Sequence, residues 1–351
     1  MRISLLLILL LPIHLTGLSQ ADSDNLSFKN QINSQNIDQD HIFDASDFFH
    51  WGGSIIKGDD GKYHLFYSRW KSDYSFFGWL THSEIAHATS DSPYGPWKYQ
   101  ETVLRGRRDY FWDAITAHNP KIKHFNGKYY LYYIATNFGK KSITDEDLRE
   151  ISMVGYSHPS WKILRTNQRT GVAIASSLQG PWTRLDQPII EPSGPIETLT
   201  VNPAITKDDQ GIYYLIVKGD KPGSTKFERN QGIARSKSPE GPFVMEKKAV
   251  IDDMDTEDMS IWYDSSQKRF YGVFHAHEFI GMITSVDGEN WEKAKEYILL
   301  EKNLRLKEGE ELVIDRMERP FIYEENGKPL VLCLAVKSGN NSFTLFLPIE
   351  E

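Results

Sequence analysis

The feature that most constrains the fold is a pattern that returns five times between His41 and the end of the chain. Each copy has an opening dipeptide, an apolar strand, a short turn and a second, aromatic strand, and several turns contain the Asp-Gly or Asn-Gly pair typical of β-hairpins. Because the copies follow one another at intervals of about 55 to 85 residues, they predict five similar antiparallel units. The opening segments are 52–55, 119–122, 202–205, 258–261 and 319–322.

A second motif follows four of the hairpins, at 90–97, 176–182, 236–243 and 285–291. It combines a Ser-rich turn with Gly and a bulky aromatic residue, and we expect it to lead into the outermost strand of each unit. Trp97, Trp182 and Trp291 of this motif are expected to fill the core between units. Repeated four-stranded antiparallel units are typical of propeller blades. The sequence therefore predicts an all-β fold, a five-bladed β-propeller of four-stranded antiparallel blades.

The N-terminal region predicts export. Residues 1–21 have a charged start, an apolar run and small residues at the end, which is the pattern of a cleaved signal peptide. Residues 22–40 are polar and without period, so we expect a flexible tether before a single catalytic propeller domain at 41–351. No apolar run is long enough for a membrane span, and Cys333, the one cysteine, excludes an intramolecular disulfide. We expect a secreted or periplasmic protein.

Charge and aromatic content narrow the partners. The net charge of −8 argues against nucleic acid, whereas 13% aromatic residues favour an oligosaccharide or polysaccharide substrate, because sugar faces stack on aromatic rings. Helical spacing at 145–150 and the tract 157–161 suggest an insertion into the second blade on the face that holds the site, or an ordinary surface loop. The oligomeric state is left open.

The opening dipeptides locate the candidate site. The innermost strand of every blade starts at the central channel, so residues at and just before these dipeptides should converge although they are distant in sequence. Carboxylates that share one funnel shift each other's pKa values and can divide the acid and base roles of glycosidic cleavage. The candidate catalytic residues are Asp113, Glu257, Asp258 and Glu318. The candidate substrate-binding residues are Trp51, Arg69, His82, Glu84, Trp112, His118, Asn119, Asn202, His275 and Arg319.

No cofactor is expected to be required, and the histidine segments do not have the spacing of a transition-metal motif. A structural Ca²⁺ or Na⁺ in the central channel remains compatible with the carboxylates. Histidine side chains are expected to donate hydrogen bonds to sugar hydroxyls or to neighbouring turns.

Stretches in all five repeats resemble the five-bladed furanosidase superfamily of glycoside hydrolases, which includes families 43, 32, 62, 68 and 117. They are 51–64, 81–88, 111–113 with 118–120, 257–258 and 317–320. The resemblance, closest to family 43, implies an inverting hydrolase with an aspartate base, a second aspartate and a glutamate acid. It also shows a departure, because family 43 opens blade one with an Asp-Pro dipeptide that carries the base, and this chain has Gly52-Gly53.

The sequence thus favours an exo-acting, inverting glycosidase that releases a terminal sugar from plant or algal polysaccharide, with Glu257 as acid and Asp113 as base. Two alternatives stay open. The missing blade-one aspartate is compatible with a non-catalytic carbohydrate-binding propeller. Histidines near the channel, His82 and His118, would suit a lyase or transferase acting on uronic or anhydro sugars.

Overall fold

The chain folds into a ring of five four-stranded antiparallel sheets, which confirms the predicted all-β, five-bladed propeller. The computed structural model describes residue 24 and residues 26–139, 141–226 and 228–350. The predicted signal peptide at 1–21 lies outside the described residues. The innermost strands of neighbouring blades contact one another in cyclic order, and the fifth contacts the first, so that the ring is closed around a central channel.

Strand β1 (Ile42–Phe43) comes first in the chain, and the other strands follow blade by blade. Blade one contains β2 (Phe48–Lys57), β3 (Tyr63–Lys71), β4 (Glu84–Ser90) and β5 (Lys98–Leu104). Blade two contains β6 (His118–Phe125), β7 (Lys128–Ala135), β8 (Arg169–Ala175) and β9 (Thr183–Arg184). Blade three contains β10 (Glu197–Lys207), β11 (Tyr213–Asp220), β12 (Arg229–Ser236) and β13 (Val244–Ile251). Blade four contains β14 (Glu257–Asp264), β15 (Arg269–Ala276), β16 (Phe279–Ser285) and β17 (Glu292–Glu301). Blade five contains β18 (Arg316–Glu325), β19 (Lys328–Ser338) and β20 (Asn341–Pro348).

Blade five takes its fourth strand from the other end of the domain. Strand β1 pairs antiparallel with β20, with Ile42 opposite Leu345 and Phe43 opposite Thr344. This pairing covers the free edge of β20, where unpaired backbone groups would otherwise be exposed. The two ends of the propeller are thereby joined in one sheet.

The repeated isoleucine of the opening segments explains how the blades pack. Five hydrophobic clusters lie between neighbouring blades, and each contains the isoleucine at the fourth position of one opening segment. These residues are Ile55, Ile122, Ile205, Ile261 and Ile322. The tryptophans of the second motif fill the same layers, as predicted: Trp97 is buried, and Trp182 and Trp291 are packed against their clusters. Cys333 is a buried free thiol in one of them.

The predicted insertion is helical and covers part of the channel face. Helices α1 (Asp145–Val154) and α2 (Trp161–Thr166) lie between β7 and β8. A capping box starts α1, because the Thr144 hydroxyl accepts a hydrogen bond from the Asp147 amide and the Asp147 carboxylate accepts one from the Thr144 amide. The apolar side of both helices packs against the short 3₁₀ segment Phe76–Leu80 between β3 and β4.

The predicted flexible tether is wrong for the described part of residues 22–40. Phe28, Ile32 and Ile37 are buried in the cluster between blades four and five. The Glu296 carboxylate accepts hydrogen bonds from the backbone amides of Phe28 and Lys29, both at 2.8 Å. Widely spaced apolar residues in a polar segment give no periodic signal, yet each can fill a gap on a preformed surface. No helix of the described residues is both long and apolar enough to cross a bilayer.

Replacing Ile37 tests this attachment. Ile37 is fully buried, so Ile37→Ala should lower the free energy of unfolding by about 2–5 kcal/mol through lost burial and a residual cavity. Urea unfolding of the protein measures the change, with the exposed Asn36→Ala as the matched control. Equal stability of both variants and the parent would mean that the segment does behave as a tether.

Candidate active site

The same backbone irregularity occurs in every innermost strand. The pairing register shifts there in each blade, and one residue has a positive φ. Such angles are uncommon for residues with a side chain. The five residues, one from each blade, are Gly52 (62°), Asn119 (50°), Asn202 (55°), Asp258 (60°) and Arg319 (59°). The bulge turns these residues toward the channel axis.

Four of these residues form a connected set across the channel, which we call the channel ring. The Asn119 side-chain amide donates to Asn202 Oδ1 at 2.7 Å, and the Asn202 amide donates to Asp258 Oδ1. The Arg319 guanidinium is ion-paired with the same carboxylate. Blade one contributes Gly52, where a Cβ would lie 3.3 Å from Arg319 Cβ, so the missing side chain leaves space for the arginine.

The residues immediately before the five residues with positive φ form the floor of a cavity. They are Trp51, His118, Val201, Glu257 and Glu318, again one from each blade. The cavity has a volume of about 740 Å³ and opens on the channel face that carries the helical insertion. A single repeat position therefore supplies both layers, with the first residue of each pair facing the cavity and the second facing the ring.

The cavity has two chemically different halves. Blades one and two supply an aromatic wall, which consists of Trp51, Trp70, Phe76, Trp79, Tyr156 and Trp161. Blades three to five supply the charged half, which includes Lys218, Arg229, Glu257, His275, Lys302, Arg316, Glu318 and Arg319. Tyr156 and Trp161 come from the helical insertion, which confirms that it lies on the site face. A sugar has apolar ring faces and polar edges, and the two halves match these surfaces.

Glu257 is held in its ionised form. Its carboxylate is ion-paired with the Lys218 ammonium and lies 3.3 Å from Nε of Arg229. Burial favours the neutral acid, but Lys218, Arg229 and Arg319 outweigh it and lower the pKa of Glu257.

Glu318 has the opposite tendency. Its side chain is buried beside Glu257, and its nearest cations are more distant, with Arg316 Nη1 at 3.5 Å and Arg319 Nη2 at 4.0 Å. Burial, followed by the negative charge of Glu257, raises the pKa of Glu318 to about 7. Two neighbouring carboxyl groups with separated pKa values can act as a proton donor and an ionised carboxylate at the same pH.

Lys218 and Arg229 are site residues that the opening dipeptides could not reveal, because they lie on the second and third strands of blade three. Lys218 stands opposite Val201 in the β10–β11 pairing and contacts both Glu257 and Asp258. Burial lowers the pKa of Lys218 to about 8, although Glu257 opposes this effect. In the sequence, Lys218 could have been noticed as a charged residue directly after the apolar run 213–217.

Histidines occupy the floor and one wall. His118 Nδ1 is hydrogen-bonded to the Ser83 hydroxyl at 2.7 Å, and burial lowers the pKa of His118, so its imidazole is neutral. His275 lies opposite Glu257 in the β14–β15 pairing, and burial lowers the pKa of His275 to about 4. Neutral imidazoles at these positions can exchange hydrogen bonds with sugar hydroxyls.

Asp258, His275 and Glu318 are the described residues that could hold a cation, since one ligand atom of each lies within 4.8 Å of the others. Asp258 Oδ2 and His275 Nδ1 are buried without a hydrogen-bond partner among the described residues. However, Ca²⁺ prefers six or more oxygen ligands, and Arg319 and Lys218 already compensate the Asp258 carboxylate. The donor set therefore fits the protein's own cations better than Ca²⁺ or Na⁺.

Asp113 is placed outside the cavity, which corrects its assignment as the base. It is fully buried, and its oxygens contact Arg107 at 2.6 Å and Arg184 at 3.0 Å. The Tyr133 hydroxyl donates a third hydrogen bond at 2.8 Å. A carboxylate enclosed by two guanidinium groups and a phenol has no access to a sugar or to its attacking water. Its role is to join the loop before β6 to the outer part of blade two.

Four candidate binding residues also lie outside the cavity. Arg69 and Glu84 form an ion pair of 2.8 Å inside blade one, and Arg105 binds the second Glu84 oxygen. His82 stacks on Tyr74 with ring centroids 3.6 Å apart. The fourth, Trp112, stacks on Tyr133 and donates to a backbone carbonyl of the loop after β9. Of the remaining candidates, Trp51, His118 and His275 line the cavity, Asn119, Asn202 and Asp258 lie in the ring, and Arg319 belongs to both.

Comparison with known proteins relates this fold to carbohydrate-active enzymes. No family model matches the chain. It is 29% identical over 153 residues to extracellular endo-α-(1→5)-L-arabinanase 1 of Bacillus subtilis, a match that covers 36% of this chain and 47% of that protein. The chain thus spans about half the length of this curated relative.

Solved structures match nearly the whole propeller. A family 117 glycoside hydrolase from Zobellia galactanivorans has a TM-score of 0.61 at 19% identity, covering 91% of this chain and 89% of that one. An α-L-arabinofuranosidase from Lactobacillus brevis has a TM-score of 0.56 at 15% identity, covering 92% and 94%. The likeness establishes that this chain has the five-bladed fold of these hydrolases.

Asp113→Asn tests the corrected role of Asp113. Removing the charge takes the buried counter-ion from two mostly buried guanidinium groups, Arg107 and Arg184, and leaves Arg107 with only the exposed Asp186, so the free energy of unfolding should fall by about 3–5 kcal/mol. Denaturant unfolding measures this loss, and Asp186→Asn, which removes an exposed partner of the same Arg107, is the control. A stable Asp113→Asn protein that has specifically lost turnover would restore Asp113 to the catalytic set.

Proposed function

We propose that the protein is a secreted glycoside hydrolase, exo-acting and inverting, that releases a terminal sugar from plant or algal oligosaccharides or polysaccharides. The observation that carries the proposal is the pair Glu257 and Glu318, whose pKa values are driven apart at the floor of an aromatic-walled cavity. The hydrolases that share the fold support this choice of reaction.

The proposed roles follow from the protonation states and reverse the role that the sequence suggested for Glu257. Glu318, which keeps its proton near neutral pH, protonates the glycosidic oxygen as the bond to the anomeric carbon breaks. Glu257, ionised, accepts a proton from the water that attacks the opposite face of that carbon. Lys218 and Arg229 keep Glu257 ionised and fix its orientation, and Asp258 draws the Arg319 guanidinium into the ring, 4.0 Å from Glu318.

Exo action is supported by the shape of the aromatic wall. The insertion between β7 and β8 places Tyr156 and Trp161 against Phe77 and Trp79 of the opposite connection. This contact raises one side of the cavity and favours a pocket for a chain end over a groove that a long chain could cross. Stacking on Trp51, Trp70 and Trp79 would hold the terminal sugar by its face.

Export is proposed from residues 1–21, whose pattern is that of a signal peptide. The Bacillus subtilis relative is named as extracellular, which supports the same compartment for this chain. Export would also place the protein in the compartment where a polysaccharide substrate is found.

Sugar release tests the reaction. The mature protein is incubated with a panel of plant and algal oligosaccharides, and the products are separated by chromatography over time. We expect one monosaccharide from the earliest points, and a rate that falls about 10²–10⁴-fold in Glu257→Gln and in Glu318→Gln, since each removes acid or base assistance. The exposed Glu308→Gln is the control.

The same experiment separates the alternatives. An early ladder of oligosaccharides would contradict exo action. Binding without any release would favour a carbohydrate-binding propeller, and an unsaturated product that absorbs in the ultraviolet would identify a lyase.

The pH dependence tests the assignment of the acid. Because the pKa of Glu318 is raised to about 7, the donor loses its proton as the pH rises through 7, and kcat/KM should fall above that pH. Lowering the pH toward 5 should cost little, since Glu257 stays ionised there. Initial rates across this range on a released sugar give the profile. In Glu318→Gln the alkaline fall should disappear from the residual rate, and its persistence would exclude Glu318 as the donor.

A further inference from the structure

Most cationic side chains that line the cavity are paired with a nearby acid. Arg165 of α2 makes two contacts with Asp220, at 2.9 and 2.5 Å. Lys218 is paired with Glu257, and Arg229 approaches both Asp255 and Glu257. Arg319 is paired with Asp258 of the channel ring. These groups are mutually compensated before any substrate binds.

Two further cations of the cavity, Lys302 and Arg316, which we call the positive edge, are compensated less closely. The Lys302 ammonium is 3.9 Å from Glu278 Oε2, too far for a hydrogen bond, and the Glu278 side chain is 85% exposed. The nearest carboxyl group of Arg316 is Glu318 at 3.5 Å. When Glu318 holds its proton to act as an acid, the remaining negative charges that act on Arg316 are those of Asp315 and Glu257, and neither forms a close ion pair with it among the described residues.

Lys302 and Arg316 come from consecutive blades. Lys302 directly follows the last strand of blade four, and Arg316 begins the first strand of blade five. Both line the cavity together with the acidic side chains of Glu278 and Asp315. The Arg316 guanidinium also lies 5.6 Å from the ring centroid of Phe76 in the aromatic wall. Their fields reach the reactive groups, because Lys302 contributes to the lowered pKa of His275 and Glu257 contributes to the raised pKa of Arg316.

This positive edge stands out in a chain whose net charge is −8. The positive edge is therefore a local feature, and not part of a surface that is positive overall. A pair of cations at the rim of a cavity concentrates anions locally, and the planar guanidinium of arginine matches the two oxygens of a carboxylate or sulfate.

We infer that the terminal sugar carries an acidic group, a carboxylate or a sulfate ester, which binds between Lys302 and Arg316 while the sugar ring stacks on the aromatic wall. The inference rests on the proposed glycosidase function and names its substrate class. It also has a consequence for the acid, because an anion bound beside Glu318 opposes the ionisation of that carboxyl group. The substrate would thus help to keep its own proton donor protonated.

Calorimetric titration of the whole mature protein with matched sugars tests the inference without requiring turnover. The probes are galacturonate, glucuronate and galactose 6-sulfate, each compared with galactose or glucose. We expect at least one acidic sugar to bind at least tenfold more tightly than its neutral counterpart at low ionic strength, with a smaller ratio in added salt. Preference for the uronates or for the sulfated sugar identifies which oxyanion is recognised.

Two variants locate the effect. Lys302→Met and Arg316→Gln should each reduce the ratio of acidic to neutral affinity by at least threefold, and the double variant should bring it close to one. Lys307→Met, at an exposed lysine paired with Asp38, is the matched control and should retain the ratio of the parent. The thermal midpoint of each variant is measured beside its affinities, so that a loss of binding caused by misfolding is recognised.

The outcomes distinguish this inference from the proposed function. Neutral sugars that bind as tightly as acidic ones, a ratio that survives in the double variant, or no binding of any acidic probe would overturn it. Release of neutral sugars from the oligosaccharide panel would then leave the glycosidase assignment in place. No release of any sugar from neutral, uronic or sulfated oligosaccharides would instead overturn the proposed function itself.

Discussion

The left-handed residue at the bulge of each innermost strand is the constraint on which the rest of the structure depends. Four of the five positions carry side chains, Asn119, Asn202, Asp258 and Arg319, although a positive φ is unfavourable for residues other than glycine. The hydrogen bonds and ion pairs of the channel ring offset that cost. Because each bulge also turns the preceding residue into the cavity, the backbone that closes the channel is the backbone that builds the site.

This coupling explains why two similar carboxyl groups behave differently. Glu257 precedes Asp258, and the two share the Lys218 ammonium, which is therefore fixed next to Glu257. Glu318 precedes Arg319, but that guanidinium is directed at Asp258 and lies 4.0 Å from Glu318. The ring thus places one cation against Glu257 and draws another away from Glu318. The separation of their pKa values follows from the order of residues around the channel, not from exposure alone.

The parts of the molecule that repeat could be predicted, and the parts that do not repeat could not. Five copies of one pattern give the five blades and the residues that face the cavity floor and the ring, since a single strand geometry applies to all of them. Asp113 was misplaced because it lies five residues before the start of β6, where the chain has not yet reached the channel axis. Lys218 was missed because it belongs to the second strand of its blade. The attachment of residues 26–40 depends on single side chains such as Ile37, which have no period to detect.

The glycine at position 52 and the orientation of Arg319 depend on each other. Family 43 hydrolases resemble this chain but open blade one with an aspartate, and here a Cβ at that position would lie 3.3 Å from Arg319 Cβ. An aspartate at position 52 would crowd the arginine and compete with Asp258 for its charge. With glycine, the guanidinium crosses the channel and remains paired with blade four. The absence of a side chain at position 52 thus leaves room for the pairing of Arg319 with Asp258, and the two proposed reactive carboxyl groups are those of the blades that this pairing joins.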